Sequence, residues 1–526
     1  MLDLLLRNAR CWTGDPSVPW ADAALVHHGR FAFVGRESEL SAPAGCEVLD
    51  AGGRLVLPGL VDGHAHLLNT GLAMRSVDLK GVPSVEEAVR RVAERIAVTP
   101  AGGWVRGAGW DQHAWPGGRF PDRRSLDAVA PEHPVVLVHT SGHCVWLNSA
   151  ALRAANVTSS TEPPFGGAID RDADGEPSGI LRDAASALVY DAMPALSREE
   201  RVAALRDAVA HAHRLGITGV HAMDAGRGEL HALESLRDAG ELRLRVRAFL
   251  SSARLDDWLG SYRTGDGDET LAIGGVKFFA DGALGSLTAW MLAPYEGADD
   301  AGQPLWEPAE LEQRVRSCLE HGLPPAIHAI GDRANREALD ILERTRAIAP
   351  ELPRRIEHAQ VLAPEDIARF AKLGVTASVQ PIHATQDMAK ADRWWGARGR
   401  HAYAFASLLA SGANLAFGSD SPVETMDPIA GIHAAVTRRN AAGEPADGWY
   451  PDERLPLEAV LAAYTSGCAA AAGEAHGTGR IAPGRHADFA VLSHDLFALA
   501  DPMRILDARV DVTAVAGDIV YHRLDS

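Results

Sequence analysis

A chain of 526 residues, 46% hydrophobic and 23% charged, has apolar material for one large domain with additions. Its formal charge of −19 opposes nucleic acid and anionic membrane surfaces as partners and leaves a small molecule as the expected one. Its five cysteines, Cys11, Cys46, Cys144, Cys318 and Cys468, are scattered without paired spacing, which fits a reducing, cytoplasmic setting and opposes a disulfide framework; no apolar stretch reaches the roughly 20 residues of a membrane span.

The N-terminal segment, from LLLRNARCWTG to VGRESEL, alternates short β-prone runs with Gly and Asp turns. The run LVLPGLVDGHAH follows and opens the middle of the chain. About 140 residues separate it from the next such run, too many for a βα connection, so an insertion with structure of its own is expected at about 70–210. Seven further β-prone runs follow: TGVHAMDAG, LRVRAFLSS, GGVKFFADG, PPAIHAIGD, RRIEHAQVL, VTASVQPIH and NLAFGSDSPV. Helix-like stretches such as AELEQRVRSCLEHG lie between most of them, and that alternation predicts a (β/α)₈ TIM-type barrel of the α/β class over 56–476. The closing GRIAPGRHADFAVLSHD and VTAVAGDIVYHRL share the texture of the N-terminus. Residues 1–55 and 477–526 are therefore expected to build one small composite β-sandwich.

In such a barrel, chemistry gathers at the C-terminal ends of the strands. Polar residues at the ends of the runs are His64 and His66, Lys277, His328, His358 and Asp420. His64 and His66 stand two apart, on one face of a strand, where both rings can reach one metal ion. Each residue alone has a plainer reading: a hydrogen-bonded neutral histidine, an Asx turn at Asp420, an ion pair of Lys277 with Asp281. Their gathering at one end of one barrel favours metal. Lys277 does not fit such a site as an ammonium, but as a carbamate formed with carbon dioxide it would carry one negative charge and two oxygens able to bridge two ions. Trp110 and Asp111 in GAGWDQHAWP, and Trp394 and Trp395 in ADRWWGARGRHAYAF, are candidates for substrate contact or for scaffold.

The motifs LPGLVDGHAHLLNTG, SGHCVWLNSAAL, GGVKFFADGALGS, AIHAIGD, RIEHAQ, FGSDSPV and GRIAPGRHADFAVL, in this order, resemble those of the amidohydrolase superfamily, within it the YtcJ-like metal-dependent hydrolases related to N-substituted formamide deformylase. The resemblance implies that His64, His66 and Asp420 hold one metal, that His328 and His358 hold a second, and that Lys277, N6-carboxylated, bridges them. Two zinc ions suit these ligands, with manganese, cobalt, nickel or iron as alternatives. It also places His143 and Asn148 in a family motif on the insertion, as substrate-contact or scaffold residues. The implied activity is hydrolysis of carbon–nitrogen bonds other than peptide bonds, with Asp420 shuttling the proton. An esterase, lactonase or carbamate hydrolase is the alternative, a catalytically inactive small-molecule binder a third reading, and a homo-oligomer is compatible with all three.

Overall fold

The computed structural model describes residues 3–40, 43, 45–140 and 143–523. The chain forms two compact units, Met1–Leu68 with Leu205–Ser526, and Asn69–Ala204.

The first unit carries eight parallel strands hydrogen-bonded in chain order: β1 (Leu60–Ala65), β2 (Ile217–Ala225), β3 (Arg245–Ser251), β4 (Leu271–Phe279), β5 (Pro325–Ala329), β6 (Arg354–His358), β7 (Val375–Val379) and β8 (Leu415–Phe417). This is a nearly closed TIM-type barrel sheet, with a strand from each of the eight apolar runs. Side chains along β4 and β6 are buried almost without alternation, as expected where a parallel sheet has both faces covered. The intervening helices bury one stripe each. Helix Asp332–Arg344 turns Ala334, Ala338, Leu339, Ile341 and Leu342 inward, and helix Pro364–Leu373 starts on a proline and stops at Gly374, whose φ of +65° suits a residue without a Cβ. Beyond the ends of β8 and β1, Asp420 N donates to His64 O (2.7 Å) and His66 N to Ser421 O (2.9 Å), so the two edge strands meet at the C-terminal end of the barrel.

The first apolar run, expected as one barrel strand, divides at Gly59. Leu55–Pro58 pairs antiparallel with Phe489–Leu492 in a six-stranded sheet, and only Leu60–Ala65 enters the barrel. A Cβ on Gly59 would come within 2.2 Å of Thr218 Oγ1, so the crossing between the two sheets needs glycine. The six-stranded sheet combines N-terminal and C-terminal strands, and a four-stranded sheet, built around Leu4–Arg7, comes from the N-terminus alone. Leu6, Val26, Phe31, Val56, Phe489 and Val512 belong to one apolar cluster that draws on both sheets.

The second unit has its own mixed six-stranded sheet, in which Val105–Trp110 and Val135–His139 are neighbours, and a core that includes Trp110, Trp115 and Trp146. Among the described residues no helix is long and apolar enough to cross a membrane.

Candidate metal centre

His64 and His66 leave the end of β1 towards Asp420. His64 Nε2 lies 3.5 Å and His66 Nε2 3.4 Å from Asp420 Oδ1, and Lys277 Nζ on β4 lies 3.4 Å from His64 Nε2. Ligands about 2.1 Å from a tetrahedral ion stand roughly 3.4 Å apart, so these spacings fit a divalent metal. The loop after β8 is pinned for this purpose. A Cβ at Gly418 would meet His64 N at 2.4 Å; beyond it Ser419 gives its N–H to Asp62 Oδ1 (2.9 Å) and its hydroxyl to Asp62 Oδ2 (2.5 Å), while His64 N donates to the same carboxylate (3.1 Å). Asp420 and His358 both have left-handed backbones, with φ of +59° and +72°, a conformation that costs a non-glycine residue about 1–3 kcal/mol and persists where the surroundings enforce it.

His358, at the end of β6, lies between the other rings, with centroids 4.7 Å from His64 and 4.6 Å from His328. A further histidine, His383 on the short helix Pro381–Gln386 after β7, lies parallel to His358 at 6.2 Å, its Nε2 3.8 Å from Asp420 Oδ2. Donor atoms of His64, His66 and Asp420 lie within 4.8 Å of one another, and so do those of His358, His383 and Asp420. The sequence reading omitted His383. Its signal was present, a histidine four residues beyond a barrel strand in VQPIH, but no spacing links it to the other donors.

Three of the rings have one nitrogen engaged. His64 Nδ1 meets Glu357 Oε2 at 2.6 Å, His358 Nδ1 meets Gln380 Oε1 at 2.8 Å, and His328 Nε2 meets Gly282 O at 2.9 Å. The opposite nitrogen of each stays available, the arrangement that orients metal-binding imidazoles. Burial, helped by the Lys277 charge, pushes His64 down to about 4 and His328 to about 3; burial, then the neighbouring rings, holds His358 well below the usual histidine range. These rings are neutral donors at pH 7. Burial alone would raise the Asp420 carboxyl, but the hydrogen bond from His66 and the surrounding imidazoles hold it well below the usual range. Burial lowers the Lys277 amine to about 8 against the pull of Glu357, Asp420 and Asp224. Asp281, the alternative partner for Lys277, is occupied by the N–H groups of Trp290, Ile330 and Gly331. Neutral imidazoles, an ionised carboxylate and a readily deprotonated amine suit divalent metal.

A cavity of about 410 Å³ opens on this cluster, with Phe279, Leu284, Ile330 and Val423 as apolar lining and Lys390 and Glu424 among its polar residues. Trp394 and Trp395 are not part of that lining. Trp395 is fully buried in the apolar core and Trp394 half-buried under Arg393, because the WW pair sits on a helix that turns one indole inward.

In the second unit, Trp110 and Asn148 are 0% exposed, and their polar atoms serve the scaffold. The Trp110 indole donates to Leu137 O at 2.8 Å, and Asn148 caps helix Ser149–Ala154. Both side chains are thus engaged within the second unit. Asp111 accepts the His113 N–H at 2.9 Å, and the exposed His143 ring lies 3.0 Å from Asp183.

Comparison with known proteins agrees with this geometry. The chain is 37% identical over 542 residues to Protein LONG AFTER FAR-RED 3 of Arabidopsis thaliana, covering 99% of this chain and 91% of that one. It is 30% identical over 547 residues to N-substituted formamide deformylase of Arthrobacter pascens, covering 100% and 99%. The crystal structure of an uncharacterized metal-dependent hydrolase from Pyrococcus horikoshii matches with a TM-score of 0.80 at 29% identity, over 94% of this chain and 98% of that one. Residues 47–521 match the Amidohydrolase family, and the chain is an enzyme belonging to it.

Proposed function

We propose that this enzyme hydrolyses carbon–nitrogen bonds of small N-acyl or N-formyl amines at a two-metal centre. The observation that carries the reading is the convergence of imidazoles on the Asp420 carboxylate at spacings that suit tetrahedral ligands. The name of the Arthrobacter pascens relative, N-substituted formamide deformylase, supports a formamide or similar amide as substrate. His64, His66 and Asp420 would hold one ion; His328 and His358 would hold the other, with Lys277 between them.

When bound, divalent ions supply Lewis acidity and bring the pKa of water from about 15.7 towards about 7, zinc being the best match to nitrogen and carboxylate donors. Lys277, with its amine displaced towards the neutral form, would give up one proton as the ammonium, add through Nζ to carbon dioxide and lose a second proton, which converts a buried cation into a singly charged anion. Asp420 is ionised and faces the cavity. Its carboxylate takes the proton from attacking water and returns it to the departing nitrogen, which could not leave as an anion. Phe279, Leu284 and Ile330 seat the apolar substituent of the amine.

The test is a panel of N-formyl and N-acyl amines, esters and lactones, run on protein of measured metal content, beside Lys277→Ala. The expected result is two ions per chain, turnover of amides, and loss of one ion with activity in Lys277→Ala. A variant that keeps two ions and full rate removes the bridge; a metal-loaded protein that cleaves only esters removes the amide reading.

A further inference from the structure

We propose that the buried pair Arg355–Glu357 is a positioning device that sets the metal affinity of His64 rather than a support of the fold; this rests on the metal-centre reading above. The two residues stand two apart on β6 and are 1% and 0% exposed. Arg355 Nε donates to Glu357 Oε1 at 2.5 Å and Nη2 to Oε2 at 3.1 Å, and Oε2 in turn accepts from His64 Nδ1 at 2.6 Å. The same guanidinium donates to Gly63 O on β1 (2.6 Å), Ser378 Oγ on β7 (2.7 Å) and His221 Nδ1 on β2 (2.8 Å). Arg355 thus fixes both the backbone immediately before His64 and the carboxylate behind its ring.

Stability alone is a poor reason to keep such a pair. Desolvating two charges offsets most of their attraction, and apolar residues of similar volume are often neutral or stabilising in their place. What apolar residues cannot do is hold the proton of His64 on Nδ1. With an anionic acceptor there, the lone pair of Nε2 points towards Asp420 and Lys277, and the negative charge behind the ring makes that nitrogen a better donor. Arg355, with its bidentate grip, keeps the carboxylate ionised and aimed.

The experiment measures zinc affinity by chelator competition and the visible spectrum of the cobalt-substituted protein for wild type, Glu357→Gln and the double variant Arg355→Met/Glu357→Leu, with urea unfolding of each metal-free protein alongside. Expected are a zinc affinity 10- to 100-fold weaker in Glu357→Gln, a shifted cobalt spectrum, and a metal-free unfolding midpoint equal to or above that of wild type in the double variant, whereas Glu357→Gln, which leaves the Arg355 guanidinium buried without its carboxylate, unfolds at lower urea. Wild-type zinc affinity and spectrum in Glu357→Gln, or a double variant that no longer folds, would overturn the proposal and return the pair to the fold. A wild-type protein that binds no divalent metal would strike the metal-centre reading itself, and this inference with it.

Discussion

The two ends of the barrel use the same residue types in opposite ways. At the N-terminal end, Arg245 at the start of β3 grips Asp488 with two hydrogen bonds of 2.6 and 3.0 Å and gives a third, of 3.0 Å, to Glu269 O. Asp488 also accepts the Ala516 N–H at 2.8 Å. Every charge there is answered within the chain, and the pair ties the barrel to the strand Phe489–Leu492. At the C-terminal end, His64, His66, His358 and His383 converge on Asp420, both Asp420 and His358 hold left-handed backbones, and His383 Nε2 is buried without a hydrogen-bond partner. Charged groups that find their partners away from the cluster, as Arg245 and Asp488 do, tie elements of the fold together. Those left facing one another across a gap are held by the rest of the fold for something that binds between them.

Substitutions at the two ends should therefore separate activity from stability. The largest effect is expected from Asp420→Asn, which removes a ligand charge and the proton acceptor together. Its kcat/KM should fall by about 10²- to 10⁴-fold on whichever amide wild type cleaves, while the urea midpoint of the metal-free protein stays level or rises. Asp488→Ala should do the reverse. It leaves the Arg245 guanidinium buried without its carboxylate, at a cost of about 3–5 kcal/mol in unfolding free energy, with kcat and KM of the folded fraction unchanged. If Asp420→Asn proved mainly unstable, or Asp488→Ala mainly inactive, the division between the two ends would fail.

How much of this was legible beforehand depended on whether a signal was local. The eight barrel strands were readable because parallel strands covered on both faces appear as unbroken apolar runs, and because each run ended in polar residues. His64 and His66 were readable from their two-residue period. The division of the first run at Gly59 was not, since it depends on Thr218, a residue more than 150 positions away that leaves no room for a Cβ. Nor was His383, which reaches the cluster from a helix rather than from a strand. Glu357 and Arg355 looked like ordinary strand residues beside a metal-ligand candidate; only the closed barrel shows that they stand behind His64. The tryptophans were ambiguous for a related reason. An indole is as suitable for a core as for a binding surface, and neighbours distant in sequence decide which it fills.

Asn148 carries this contrast into the second unit, where the expected effect is smallest. Its side-chain oxygen accepts from Val135 N (2.9 Å) and Ala151 N (3.0 Å), and its nitrogen donates to Ala130 O (2.7 Å) and His133 O (2.8 Å). No hydrogen on that amide remains to meet a substrate. The residue joins the start of the strand Val135–His139 to the start of helix Ser149–Ala154, and so acts as the paired end of the barrel does. Asn148→Ala should lower the unfolding free energy of residues 69–204 by about 2 kcal/mol, roughly half from the lost helix cap and the rest from backbone groups left unpaired. Hydrogen exchange of the Val135–His139 amides reads that loss directly, and KM should stay at its wild-type value. A raised KM with unchanged exchange would mean that substrate, not scaffold, is what the amide serves.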